Sequence, residues 1–406
     1  MQIISPTYIL TPTKLLEGHS VAFQEQIVKI APTEELLESF PEASHIQLQE
    51  HSLLMPGLIN THVHLEFSAN KTTLSYGDFM TWLYSVIEHR ETLINDCSSD
   101  CITEVIDGML SNGITTFGAV SSHGMDLEAC QNAKQNIVFF NELIGSQAAM
   151  ADVLFGDFIS RLETSKDTKR KGFFPAIAIH SPYSVHPILI KRAVTIAKEQ
   201  NLKLTAHFLE SKAESEWLKS NSGDFLDFFS KLLKQTYSVS DIDEFLSHFK
   251  DTPTLFTHAT KATTKELETI AEGNHTIIHC PISNRLLGNG VLDISILKKL
   301  GIPFVTATDG LSSNYTLNLF EELKIALFIH SHLPAQELAQ ELLESVTCQA
   351  AKALGLNTGA IEEGKNADML VIDLDGTPNE QLALHLILHR YNISKIFING
   401  ALVKEQ

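Results

Sequence analysis

Residues 55–66 read MPGLINTHVHLE. A Pro-Gly pair opens a short apolar run, and the run closes on His62-Val63-His64. Residues two apart in an extended strand point to the same side, so both imidazoles can face one metal ion. Taken alone, such a pair divides evenly between a metal site and two solvated histidines, because histidine is both the commonest metal ligand and a frequent surface residue. The rest of the chain decides between them.

Outward from this segment the same texture recurs. Short apolar runs at 56–60, 114–120, 137–144, 175–180, 202–209, 254–258, 276–281 and 302–309 alternate with segments of helical period, the mark of βα units around a parallel sheet. Eight runs close a (β/α)8 TIM barrel. Helices are expected at 104–111, 188–199, 265–272 and 319–330, with extra helices in the long first and fifth gaps, one of them at 78–89. The fifth run closes as Thr205-Ala206-His207-Phe208-Leu209-Glu210, the sixth as Phe256-Thr257-His258 and the eighth as Thr306-Ala307-Thr308-Asp309-Gly310. Catalytic groups of a barrel come from the C-terminal ends of several strands, so these residues converge despite their separation in sequence. Three imidazoles and one carboxylate with an open position for water describe a catalytic divalent site. Five ligand-type residues at one barrel mouth argue against five unrelated polar positions.

Both chain ends read as strands. Residues 1–54 carry runs at 8–10, 20–23, 27–30 and 51–54, and strand texture returns at 369–372 and 396–398 before the turn Asn399-Gly400. The expected architecture is α/β: a barrel over 55–356 and a small β-sandwich domain built from 1–54 and 357–406. The formal charge is −19, from 30 Lys plus Arg against 49 Asp plus Glu, which argues against a nucleic acid or an anionic membrane as partner. The basic run 166–171, KDTKRK, reads as a solvated loop. Five cysteines without a C-x-x-C pair, and no charged stretch ahead of an apolar N-terminal segment, predict reduced thiols and a cytoplasmic protein. Oligomeric state stays open, a homodimer being the common symmetric outcome.

The segments MPGLINTHVHLE, AHFLE (206–210), FTHAT (256–260) and TDGLSSN (308–314) resemble the amidohydrolase superfamily in its mononuclear deaminase branch. GAIEEGKNADMLVIDLD (359–375) looks like that superfamily's return strand into the small β domain. The resemblance implies a distorted barrel holding one divalent ion, Zn2+ or Fe2+, on His62, His64, His207 and Asp309. Binuclear members carry a carboxylated lysine at the end of strand four, where this chain has Ala178-Ile179-His180, so one ion is expected. His180, in HSPYS, matches a substrate-contact position of adenosine-type deaminases; the plainer reading is a buried structural histidine.

Roles follow from charge requirements. Asp309 would hold and deprotonate a water activated by the ion, His258 would orient it and stabilise the oxyanion, and Glu210 would pass a proton to a ring nitrogen beside the attacked carbon. Residues 180–183, 283–287 (SNRLL) and 309–314 are most similar to deaminases of 6-amino-6-deoxyfutalosine, which serve menaquinone biosynthesis. This implies a nucleoside substrate converted to futalosine plus ammonia. Deaminases of 5-methylthioadenosine, S-adenosylhomocysteine or adenosine are the nearest alternative, and a non-catalytic barrel scaffold a remote one. Arg285 is the candidate reader of the substrate benzoate, against an outward arginine paired with a surface acid. Glu91, nine residues after Trp82, matches an acid that binds ribose hydroxyls in related deaminases; Glu88 is its rival, since helix phase is known only to a residue or so. Glu142, His123 and His279 also lie near strand ends and carry no assigned role.

Overall fold

Each of the eight apolar runs supplies one strand of a parallel sheet. The strands are Leu58–Val63, Ile114–Ser121, Asn136–Leu143, Phe173–Ile179, Leu204–Phe208, Leu255–His258, Thr276–His279 and Phe304–Thr306, hydrogen-bonded in chain order. A computed structural model describes residues 1–405 of the chain. The first three strands are buried at every position, because helices cover the outside of the ring and side chains fill its inside. That is why they read as continuous apolar runs rather than as alternating ones.

Helices fill the gaps, and their starts are chemically marked. Phe79–Asp96 and Ser99–Ser111 occupy the first gap, with Asp78 and Ser98 accepting from the backbone N–H groups of Thr81 and Cys101. The fifth gap holds Lys212–Ser220, Asp224–Leu233 and Ile242–Ser247. Pro187 starts Pro187–Glu199, and a Thr263/Glu266 capping box starts Thr264–Glu272. One sequence reading needs correcting here. Within 166–171, Arg170 is not a solvated loop residue: its guanidinium donates to the carbonyls of Ala133 (2.7 Å) and Gln135 (2.5 Å).

The ring closes through side chains. Strands one and eight share no ladder among the described residues. Instead Asn60 Nδ2 donates to Thr308 Oγ1 (2.7 Å), Asn60 Oδ1 accepts from Thr308 N–H (3.1 Å), and Asp309 N–H donates to the His62 carbonyl (3.2 Å). This seam is the distortion of the barrel. On the other side of strand one the register with strand two shifts between Asn60 and Val63, a bulge that re-aims His62. Strand two approaches so closely there that a Cβ on Gly118 would lie 2.4 Å from the Thr61 carbonyl oxygen. Gly118→Ala is therefore expected to lower the thermal midpoint, overpacking of this kind costing about 1–3 kcal/mol; an unchanged melting curve would contradict the close approach.

The chain ends form two further sheets. One has the order Ile27–Pro32, His19–Phe23, Gln2–Ser5, Ser44–Gln47; the other has the order Ala401–Glu405, Asn392–Ile398, Met369–Asp373, Ser52–Pro56, Tyr8–Leu10, Leu15–Glu17. They face each other across Ile4, Val21, Phe23, Leu54, Met369 and Phe397, with Phe23 and Phe397 edge-on at 5.5 Å. The expected Asn-Gly hairpin joins the last two strands, both residues having positive φ (48° and 75°). Three strands and the helix Thr33–Ser39 in this region have no counterpart in the sequence reading. All five cysteines are free thiols. No helix among the described residues is long and apolar enough to cross a membrane.

Candidate active site

The parallel strands carry their C-terminal residues to one mouth. His62 and His64 come from strand one, His207 from strand five and His258 from strand six, while His180 and Asp309 follow strands four and eight. His64 Nε2 and His207 Nε2 are 3.2 Å apart. Asp309 Oδ1 lies 3.7 Å from His62 Nε2 and 3.8 Å from His64 Nε2. His207 Nδ1 sits 2.7 Å from the His180 carbonyl; a carbonyl only accepts, so the ring proton is on Nδ1 and Nε2 keeps its lone pair. Burial lowers the pKa of His64, and that of His207 far more, so both rings are neutral at neutral pH. His62 Nε2 is buried and has no hydrogen-bond partner. An orphaned imidazole nitrogen facing the neutral rings of His64 and His207 and a carboxylate fits a divalent ion of the zinc or iron(II) type.

Backbone strain sets these side chains. Leu209, His258, Ala259 and Asp309 all take left-handed φ (44°, 76°, 51° and 59°) at the ends of strands five, six and eight. Such non-glycine conformations cost about 1–3 kcal/mol each and persist where the surroundings over-determine them. Glu214 fixes the end of strand five by accepting from the N–H groups of Leu209 (3.0 Å) and Glu210 (2.7 Å). Asp309 Oδ2 accepts from Ser283 Oγ (2.8 Å) and Ser313 Oγ (2.9 Å), and its Oδ1 accepts from Gly310 N–H (2.8 Å). Three donors on one carboxyl favour the ionised form.

Glu210 and His258 complete the floor. His258 Nδ1 faces Asn284 Oδ1 (2.9 Å), so Nε2 is the free nitrogen, 3.6 Å from Glu210 Oε1 and 3.9 Å from Asp309 Oδ2. Burial takes the His258 pKa down to about 4, leaving a neutral ring that accepts at Nε2. Glu210 responds the other way: burial first, then the Asp309 and Glu214 carboxylates, push its carboxyl well above the usual range. Its surroundings therefore favour the protonated carboxyl, while Asn289 Nδ2 donates to its Oε1 (3.1 Å).

These groups floor a cavity of about 160 Å³. Its opposite wall is apolar: Phe79, Trp82, Leu83 and Val86 of the helix Phe79–Asp96. Trp82 Nε1–H donates to the Ser312 carbonyl (2.8 Å), tying that helix to the loop after Asp309. A slot with one aromatic wall and one proton-transferring wall suits a flat heterocycle.

The structure brings together His62, His64, His180, His207, Glu210, His258 and Asp309, and leaves out Glu91 and Arg285. Helix Phe79–Asp96 turns positions 79, 82, 83 and 86 to the cavity, and Glu91, five residues past Val86, is rotated about 140° from that stripe. Glu91 and Glu88 are both exposed. Arg285 is exposed on the short helix Pro281–Leu286 and does not line the cavity. His123 faces Arg90 (2.9 Å), and His279 is buried against His330 with their Nε2 atoms 3.2 Å apart. The sequence reading missed Ser122 and the anchoring Ser283, Ser313, Asn284 and Asn289. It gave Glu142 no role, although that residue is fully buried and lines the cavity.

A barrel with imidazoles from strands one and five, a carboxylate after strand eight and an acid three residues past the strand-five histidine is the layout of a metal-dependent hydrolase. The family model described as "Amidohydrolase family" matches residues 53–403, and the chain belongs to this family. It is 50% identical over 402 residues to the aminodeoxyfutalosine deaminase of Nitratiruptor sp., covering 98% of each chain. It is 35% identical over 395 residues to a Helicobacter pylori protein named adenosine deaminase, covering 95% of each. Its fold is similar to the crystal structure of Helicobacter pylori aminofutalosine deaminase in complex with methylthio-coformycin, with a TM-score of 0.94, 33% identity and all of both chains covered.

Proposed function

We propose that this chain is a metal-dependent hydrolytic deaminase of 6-aminopurine nucleosides whose substrate is 6-amino-6-deoxyfutalosine. The observation that carries the reading is the buried Glu210 and Asp309 carboxyls 3.6 Å and 3.9 Å from His258 Nε2, in a chain half identical to an aminodeoxyfutalosine deaminase. His62, His64, His207 and Asp309 would hold the ion, Zn2+ or Fe2+. When bound, a divalent ion supplies a Lewis acid that lowers the pKa of a coordinated water towards 7.

The chain's own groups then move protons. His258 Nε2 accepts a hydrogen bond from the attacking water and fixes its direction. Asp309 Oδ2, held by Ser283 and Ser313, takes the proton released as oxygen bonds to the amine-bearing carbon. Glu210 gives its carboxyl proton to the adjacent ring nitrogen, so no full negative charge builds on the ring. When the carbon–nitrogen bond breaks, Asp309 returns its proton to the departing amine and Glu210 recovers one from the new hydroxyl. The products are the lactam and ammonia, and each carboxyl ends as it began.

Ammonia release on aminodeoxyfutalosine, methylthioadenosine, adenosine and guanine, compared side by side, tests the assignment. The expected order places aminodeoxyfutalosine first and guanine at background; equal rates on all four overturn it. An adenosine-type deaminase is the second reading, favoured by the Helicobacter pylori relative of that name. Arg285, exposed on the helix Pro281–Leu286 after strand seven, is the proposed partner of the substrate's carboxylate because a guanidinium matches a carboxylate in a bidentate pair. Arg285→Ala should lower kcat/KM on aminodeoxyfutalosine about 10-fold, the scale of a charge-assisted hydrogen bond, and spare methylthioadenosine. Equal losses on both would remove Arg285 from substrate selection.

A further inference from the structure

Glu142, at the end of strand three, is a buried carboxylate that the proposed chemistry does not use. Its residue is 0% exposed. Ser122 Oγ donates to Oε2 at 2.5 Å, while Oε1 is buried without any hydrogen-bond partner. The surroundings hold it rigidly. Glu66 pins the Ser122 loop by accepting from the N–H groups of Ser122 (2.9 Å), His123 (2.9 Å) and Met125 (3.1 Å), and Arg161 donates to the Glu142 carbonyl (2.8 Å). The side chain is among those that line the cavity, which makes a ligand seated there the candidate donor for the free oxygen. A buried acceptor left unpaired is costly, and a donor arriving with a ligand relieves that cost.

Position says which donor. Glu142 and His180 lie at the ends of strands three and four, whereas the proton-transferring Glu210 and His258 lie at the ends of strands five and six, with His207 between the two groups. The His180 and His258 rings lie 5.3 Å and 5.6 Å from the His207 ring. His180 Nδ1 is already engaged by Ser184 Oγ (2.6 Å), which leaves its Nε2 for the cavity. A nucleoside whose base sits over Glu210 and His258 carries its sugar towards the other flank, and there its strong donors are the ribose hydroxyls. Resting on the nucleoside reading above, we infer that Glu142 Oε1 is a substrate-binding acceptor for a ribose 2′- or 3′-hydroxyl. The rival role, support of His207 through its Nδ1–H, is weaker on geometry. That single hydrogen is already given to the His180 carbonyl at 2.7 Å, and Glu142 Oε1 is 3.9 Å away.

The test pairs a variant with substrate analogues. With the metal-loaded enzyme, kcat/KM is measured on adenosine, 2′-deoxyadenosine and 3′-deoxyadenosine. Wild type should lose about 10-fold on the analogue lacking the bonded hydroxyl, the scale of one hydrogen bond of about 1.4 kcal/mol. Glu142→Ala should lose as much on adenosine and at most about 3-fold on that analogue, with metal content unchanged. Equal wild-type rates on all three overturn the inference without any variant. Loss of metal, or an equal loss on all three in Glu142→Ala, overturns it in favour of support to His207. If wild type turns over none of the nucleosides, including aminodeoxyfutalosine, it is the deaminase reading that fails.

Discussion

Glu210→Gln is expected to keep its divalent ion and to lose turnover by at least about 10²-fold, the usual scale for a general acid–base group. The change keeps the volume and the Asn289 contact at Oε1 but removes the carboxyl beside His258 whose protonated form burial favours. Metal analysis and steady-state rates separate the two halves of the expectation. Near-normal turnover with bound metal would sink the proton-donor role, and loss of metal would make Glu210 part of the ion's own support.

Removing the ion should have a larger effect still. A chelated preparation is expected to lose turnover by more than about 10³-fold, because no side chain of the site generates a nucleophile from water at neutral pH. Re-addition of Zn2+ and Fe2+ in separate samples then decides between them by recovered rate. Stability should move in the same direction. An ion that binds only the folded protein adds RT ln(1 + [L]/Kd), about 4 kcal/mol at a thousandfold excess over Kd, so the melting midpoint should fall on chelation. His62 Nε2, buried without a partner, is one atom whose cost returns when the ion leaves. Full turnover by metal-free protein would overturn the site.

Much of the site was legible because parallel strands obey two rules at once. Burial on both faces makes them continuous apolar runs, as at Ile114–Ser121 and Asn136–Leu143, and their C-terminal ends share one mouth. Ligand-type residues closing such runs could therefore be placed together without knowing a single contact. Other features depend on relations that no local pattern carries. Asn60 looks like a polar interruption in a strand, and its work of bridging to Thr308 across the seam exists only in the closed ring. Glu91 was a matter of helix phase, and the stripe that meets the cavity is 79, 82, 83 and 86. A lone acid at a strand end such as Glu142 resembles any surface acid until its burial is known. The helix Thr33–Ser39 is seven residues with one buried side chain, Leu36, too short for periodicity to register among strand-like neighbours.

The pairing of Ser52–Pro56 with Met369–Asp373 has a consequence for how the molecule is made. The two partners are separated by the whole barrel, and synthesis runs at roughly 5–20 residues per second. The first sheet-forming segments thus wait roughly 15–60 s for the strand that flanks them, long after local βα units can form. Contacts of such sequence separation are slow to close. On the ribosome the six-stranded sheet is then completed only after the barrel, with the apolar strand Ser52–Pro56 lacking one neighbour in the meantime, and any release of the chain before residue 373 leaves that edge without its partner.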